Sequence, residues 1–385
     1  MKVRIEVSSL ANKNLSGVAY YTQMLASALE LNSKIETFAS YFDFLSRQPT
    51  PKLSLKKPLE KNSRTPLRVY AKLQSYGIAP PFDLFLPSVD LTIFPNFATW
   101  PAYKSKLRAS VIHDLTYIYF PDTVDEKNLA HLKRVVPRSI KQADFIITIS
   151  EAVKSELVKE FSLNPEKCVI TTIPPNKKYF KKNSNEIHKK YKIPTEKYIY
   201  FIGNLEPRKD LPTLIEAYRK LPKSIKKDYS LVMAGGHGWK TEKSDKAITA
   251  AQKAGENVVH VGFIDDKDGA AFYQKASLFV MPSIYEGFGM PVLEAMASNC
   301  PVVASNIPVL REVGGDAALY AKVSDSDSFC KVIQDVINNK NLQKEMIGKG
   351  RKNLDNFSLT KNSEAIYRKV KELAQRDKIL DTKRR

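Results

Sequence analysis

The chain has 385 residues, 43% of them hydrophobic and 26% charged, and 61 Lys and Arg face 41 Asp and Glu for a formal net charge of +20. This length exceeds what one core usually organises and predicts two domains. No apolar run reaches the ~18 residues of a membrane span, the opening MKVRIEVSSL lacks the apolar core of a secretory signal, and three scattered cysteines form no CxxC pair, which argues against spanning, secreted and zinc-ribbon classes and for a cytoplasmic protein.

Strand and helix patterns alternate along the chain. KVRIEV reads as a strand and GVAYYTQMLASALE as an amphipathic helix; DLTIF and ASVIHD are short apolar strands. Residues 47–66 carry no clear pattern and read as a loop. HLKRVVPRSIKQA, DFIITIS, EAVKSELVKEF with Ser150 as its cap, and KCVITTI continue the alternation. A basic, proline-flanked stretch from Pro174 to Pro194 interrupts it. The alternation then resumes through YIYFIGN, TLIEAYRKL, SLVMAGG, NVVHVGF, GAAFYQKA, SLFVMPS, VLEAMA and PVVAS, and LTKNSEAIYRKVKELAQ closes the chain as a helix.

Alternating elements of this kind imply parallel sheets covered on both faces. The expected architecture is α/β, two doubly wound Rossmann-like domains facing each other across a cleft. The expected boundaries are 1–178 for the N-terminal domain, 179–196 for a linker and 197–359 for the C-terminal domain, with a helix at 360–376 packing back on the first. Ligands of such sheets sit beyond the carboxyl ends of the strands.

The positive charge is uneven. Residues 1–195 hold 30 basic against 17 acidic side chains and the remainder 31 against 24, while residues 52–108 alone hold ten against three. Nucleic acid, an anionic membrane surface and a phosphorylated substrate could each use this excess, as could a merely solvated surface. No zinc-finger spacing or RNA-recognition signature is present, so no nucleic-acid partner is expected.

The unusual residues lie in the strand-end loops. After YIYFIG comes NLEPRKDL, where Asn204 precedes the adjacent cations Arg208 and Lys209. Two cations before a helix can clamp a diphosphate, although EPRKD reads equally as a solvated turn. Gly17 opens a helix and would let a ligand approach the backbone, without the GxGxxG spacing of a dinucleotide site. SVIHDL puts His113 at a strand end; a lone His is usually structural, but this position makes it a candidate. YEGFGMPVLEAM then brackets an apolar, glycine-bearing run with two acids, Glu286 and Glu294. A helix beginning near Pro291 would leave Glu286 in the preceding loop and Glu294 one turn in, with Gly287 and Gly289 opening the backbone between them.

This E-x7-E arrangement resembles the retaining glycosyltransferases of family 4, which have the GT-B fold. SIYEGFGMPVLEAMASNCPVVASNIPVLREVGGDAALY is similar to the family's C-domain signature, YFIGNLEPRKDLPTLIEAY and LVMAGGHGW to its earlier C-domain loops, and SGVAYYTQMLASAL, VIHDLTYIYFPD and ADFIITISEAVKSEL to its N-domain. The resemblance implies that Glu294 binds the nucleotide ribose, that Arg208 and Lys209 neutralise the diphosphate, and that Glu286 holds the donor sugar with the run Gly287, Phe288, Gly289, Met290, Pro291 and Val292. It also implies that His113 faces that sugar, that Gly17 lies near the phosphates, and that the base lies by Phe263 and Ile264. Many members carry Arg at the position of Asn204, Gly at that of Asn299 and Arg at that of Ala19; Arg208 is expected to supply the first missing charge.

The implied reaction is retaining, metal-independent transfer of a hexose to a glycan or lipid-linked hydroxyl in cell-surface polysaccharide assembly, with Glu286, His113, Arg208 and Lys209 as catalytic candidates. The LEPRKD and GGDAALY forms are similar to mannosyltransferases, which makes GDP-mannose the first donor and UDP-glucose or another UDP-sugar the alternative. A sugar-nucleotide epimerase and a non-catalytic sugar-nucleotide-binding protein are the rival readings on the same fold. No metal or other cofactor is expected. Removing Arg208 or Lys209 is expected to lower turnover with little effect on folding. Peripheral attachment to the inner face of the plasma membrane is expected through residues 47–108, with Lys52, Lys56, Lys57 and Lys61 meeting anionic lipid and the aromatics of FDFL and PPFDLFL adding shallow insertion.

Overall fold

A computed structural model describes residues 1–11, 17–43, 49–62 and 66–383, with side chains as far as residue 376. Contacts divide it into two units, one of residues 1–115, 126–173 and 358–385, the other of residues 116–125 and 174–357.

The first unit is built on strands β1 (Lys2–Glu6), β2 (Glu36–Phe42), β3 (Glu60–Asn62), β4 (Val89–Phe94), β5 (Ser105–Val111), β6 (Phe145–Thr148) and β7 (Cys168–Ile170). They pair in parallel in the order β3-β2-β1-β4-β5-β6-β7. Such strands are buried on both faces, which is why they read as apolar runs rather than alternations. The helix Glu151–Phe161 starts as the sequence predicts, with the Ser150 hydroxyl accepting from Val153 N at 3.1 Å. The last helix, Leu359–Lys383, packs on this unit, where Asn362 bonds both N and O of Thr172.

The second unit carries β8 (Lys197–Ile202), β9 (Tyr229–Ala234), β10 (Val258–Gly262), β11 (Leu278–Met281), β12 (Val302–Ser305) and β13 (Ala318–Ala321). Their order is β10-β9-β8-β11-β12-β13, again all parallel. Both sheets are doubly wound, and in each the strand order reverses beside the strand that comes first in sequence, β1 or β8. Crevices open at such switch points. The two-unit architecture is the GT-B fold.

The unit boundaries differ from those expected. Residues 179–196, expected as a linker, and 174–178, expected in the first domain, are both part of the second unit. Ile187 is fully buried, the Tyr179 ring meets that of Tyr273 edge-on at 5.6 Å, and Lys190 bonds Asp268 at 2.6 Å. Residues 116–125 also join the second unit: the Phe120 ring lies 5.4 Å from that of Tyr285, and Trp239 Nε1 donates to Thr123 O. Within 47–66, β3 exists because the buried Arg4 of β1 reaches Glu60 at 2.8 Å. Residues 47, 48 and 63–65 lie outside the described residues.

Candidate active site

At the switch point of the second sheet, the loop after β8 lies beside the loop after β11. The first of these is shaped by backbone contact with its other neighbour. Gly203 N bonds Ala234 O, Leu205 N bonds Gly236 O, and Gly238 N returns to Leu205 O at 3.0 Å. Gly235 makes this closeness possible: its φ is +131°, and a Cβ there would stand 2.0 Å from Gly203 O. The chain then makes a short turn over Pro207–Lys209 before the helix Leu211–Arg219.

That turn presents the cations to Glu286. The Glu286 carboxylate accepts from Arg208 Nη1 at 2.6 Å and from Lys209 Nζ at 2.5 Å, while Arg208 Nη2 pairs with Glu206 at 2.7 Å. Ile284 N donates to Arg208 O, locking one loop to the other. Glu206, Lys209 and Glu286 are all buried. Burial alone would push the Glu286 carboxyl up; the Arg208 and Lys209 charges overcome it and hold the group down at about 2. Burial also lowers Lys209, and Arg208 beside it adds to the effect against the pull of the two acids. The four charges sum to zero. Attraction for an anion therefore comes from oriented N–H groups rather than from a surplus of charge.

After Glu286 the chain runs through Gly287 and the buried Phe288 to Gly289. The φ of Gly289 is +105°, and a Cβ there would stand 2.7 Å from Leu310 Cδ2, so a side chain at this position would be strained and would force Leu310 to shift. The helix Met290–Ala297 follows, with Pro291 in its first turn and Val292 in the core. Glu294 lies just over one turn in, partly exposed, and Tyr273 OH donates to its Oε2 at 2.9 Å. Burial raises its pKa against the lowering bond from Tyr273. Asn299, where the family commonly has Gly, sits just past this helix with φ +58° and accepts from Arg351 Nε. Asn is the side chain that best tolerates this left-handed position.

Other expected residues lie farther along the same sheet edge or in the other unit. Asn204 is exposed in the loop after β8. Phe263 and Ile264 follow β10; Phe263 is 78% exposed and Ile264 is buried. His113, beyond β5 in the first unit, is buried, and its Nε2 lies 2.7 Å from Pro95 O, which can only accept. That nitrogen therefore carries the proton, and burial lowers the pKa so that the ring is neutral. Gly17 begins the helix Gly17–Leu31, and among the described residues a Cβ there would meet nothing within 4 Å.

Two acids escaped the sequence reading. Glu206 looked like part of a solvated turn. Glu6, at the end of β1, is buried at the switch point of the first sheet, where it lines a cavity of about 340 Å³ with Gln74, Asn96, Trp100 and His131. Burial pushes its carboxyl up to about 7 despite bonds from Ser8. Among the described residues, no cluster of three or more His, Cys, Asp or Glu could hold a metal ion, and no helix is long and apolar enough to cross a membrane.

Residues 183–353 match the family model of glycosyl transferases group 1. The chain is 30% identical over 238 residues to O-antigen chain mannosyltransferase B of Escherichia coli, covering 61% of this chain and 62% of that protein. It is also 30% identical over 230 residues to O-antigen chain mannosyltransferase RfbU of Salmonella typhimurium, covering 58% and 59%. The matched stretch thus spans about three-fifths of these curated relatives. Among solved structures, a sucrose-phosphate synthase from Thermosynechococcus elongatus superposes with a TM-score of 0.68 at 17% identity, covering 99% of both chains. Anabaena HepE, solved with UDP and glucose, superposes at 0.69 and 14% identity, covering 97% of this chain and 100% of that one. The segment that builds the Glu286 cluster is thus the one similar to the glycosyl transferases of group 1.

Proposed function

We propose that the chain is a retaining glycosyltransferase that moves mannose from GDP-mannose to a glycan or lipid-linked hydroxyl in cell-surface polysaccharide assembly. The observation that carries the reading is the buried Arg208–Glu286–Lys209 cluster at a sheet switch point, inside the segment that matches the family. The O-antigen mannosyltransferases among its relatives support the sugar and the pathway class. A UDP-sugar is the second donor reading, and the HepE fold neighbour, solved with UDP, supports it.

In this reading, N–H groups of Arg208 and Lys209 and the first turn of Met290–Ala297 meet the diphosphate. Glu286 holds the two cations in alignment and takes sugar hydroxyls. Glu294 accepts a ribose hydroxyl, the exposed Phe263 face stacks on the base, and Asn204 borders the phosphates. Departure of the nucleoside diphosphate concentrates negative charge on the phosphate oxygens, where fixed donors in a dry site lower the barrier most. In this reading the oriented N–H groups supply that stabilisation, and no metal is invoked. Incubating the protein with GDP-mannose and, separately, UDP-glucose, with an extract of lipid-linked glycans as acceptor, tests the reading. Anomeric retention is read by NMR. Transfer from GDP-mannose with retention is expected; inversion, or no release of nucleotide from either donor, would overturn it.

A further inference from the structure

Among the described residues, nine large apolar side chains are strongly exposed, and six of them fall between residues 69 and 103: Val69, Tyr76, Ile78, Leu84, Phe85 and Tyr103. Chance scatter would not gather them so tightly, and hydrogen bonds bring their segments together. Tyr70 OH donates to Pro80 O, tying the helix Leu67–Tyr76 to the loop that follows it. Arg138 Nη1 bonds the carbonyls of Gln74 and Ser75 at the end of that helix, where Gly77 turns with φ +80° and Ile78 emerges 68% exposed. The Asp83 carboxylate accepts from the N–H groups of Tyr103 and Lys104, both at 2.8 Å, which sets Leu84 and Phe85 beside Tyr103. Beneath them Phe42, Tyr70, Phe82, Phe94 and Trp100 form a packed aromatic cluster. The exposed side chains are surplus to that core.

The charges around this face have one sign. Arg68, Lys72 and Lys104 are exposed, and the Arg134 guanidinium lies 5.1 Å from the centre of the Tyr76 ring. The two acids of residues 66–108 are committed elsewhere. Asp83 is fully buried, and Asp90 bonds Lys2 N and Lys106 Nζ. By contrast, two of the four lysines expected to meet lipid are matched by acids, Lys57 by Glu36 at 2.9 Å and Lys61 by Asp43 at 3.2 Å.

We propose that the face made by Val69, Tyr76, Ile78, Leu84, Phe85 and Tyr103 docks this chain on an anionic lipid bilayer. Apolar tips enter the acyl boundary, tyrosines sit at headgroup level, and the surrounding cations pair with lipid phosphates. A protein-docking surface would instead be depleted of lysine. The proposal builds on the lipid-linked acceptor proposed above, but its test needs neither donor nor acceptor, so the two readings fail separately.

The test is co-sedimentation of the full chain with vesicles of phosphatidylcholine alone and of phosphatidylcholine mixed with phosphatidylglycerol, across a salt series. Binding is expected only to the mixed vesicles and should fall steeply with salt. Arg68→Glu with Lys72→Glu should weaken binding by about fivefold per residue at least, since a cation near an anionic surface contributes about that factor. Ile78→Asp with Phe85→Asp should weaken it about tenfold or more even at low salt, by removing insertion. Lys52→Glu with Lys56→Glu should bind as the parent does. Thermal melting checks each variant's fold, and Ile78→Ser with Phe85→Ser repeats the test should the Asp pair melt early. Absence of binding to mixed vesicles at low salt, equal binding to neutral ones, or parental binding by the face variants would overturn the proposal.

Discussion

Replacing Lys209 by Met removes one cation from a buried cluster and leaves the Glu286 carboxylate with Arg208 alone. The Glu286 carboxyl is held at about 2 instead of its ordinary 4.5. A difference of that size corresponds to roughly 3 kcal/mol between its two protonation states. Breaking a buried pair from one side costs about 3–5 kcal/mol, because the remaining charge loses its partner without regaining water. Lys209→Met should therefore destabilise the second unit by about 3 kcal/mol at neutral pH, contrary to the small folding effect that the loop sequence suggests. Lys209 itself is disfavoured as a cation by burial, so the pair as a whole is not strongly stabilising. The double variant Lys209→Met with Glu286→Gln should then recover most of the loss. The pH dependence has a definite sign. The folded pKa of Glu286 lies below its unfolded value, so its contribution is complete above 4.5 and is lost as pH falls from there towards 2. Lys209→Met should flatten that slope. Urea unfolding reports this directly in a Trp100→Phe background, where Trp239 is the remaining tryptophan and reports on the second unit separately. A loss below about 1 kcal/mol for Lys209→Met, or a double variant no more stable than it, would refute the argument.

Glu6→Gln should raise stability by about 3 kcal/mol at pH 8 and by nothing below pH 4.5. The folded pKa of about 7 lies above the ordinary 4.5, so ionisation opposes folding only as pH rises through that window; urea melts of the first unit at both pH values check it. Glu294→Gln should keep the Tyr273 contact but weaken GDP binding about tenfold, read by calorimetry; unchanged affinity would remove Glu294 from the nucleotide site. Gly235→Ala should cost at least about 2 kcal/mol, because its Cβ collides with Gly203 O at a φ of +131°. Gly17→Ala, with nothing near its Cβ, should leave stability within about 0.5 kcal/mol, so any loss of donor affinity measured for it would be a ligand effect.

The strands of the second sheet were legible because parallel strands covered on both faces leave uninterrupted apolar runs such as FVM and VVAS. The Ser150 cap and the glutamate pair astride a helix start were legible because their signals are local. What stayed hidden depends on distance along the chain. β3 is held by Glu60 reaching Arg4, 56 residues away, and no local pattern announces that. Glu206 and Glu286 share Arg208 across 80 residues, so the neutrality of the cluster could not be read from EPRKD. Glu6 sits inside an apolar strand, and nothing local in KVRIEV marks its burial at the switch point. Residues 116–125 follow the first unit in sequence but pack with Tyr285 and Trp239.

The central claim is that the cluster around Glu286 and the helix bearing Glu294 bind a nucleoside diphosphate. Thermal unfolding of the full chain with rising GDP, UDP and, as a control, AMP tests it most directly, since a ligand that binds only the folded protein raises its melting temperature with concentration. GDP should raise the transition of the second unit progressively, AMP should not, and Glu294→Gln should need about tenfold more GDP for the same rise. Melting curves indifferent to both GDP and UDP at millimolar concentration, or a rise undiminished in Glu294→Gln, would contradict it.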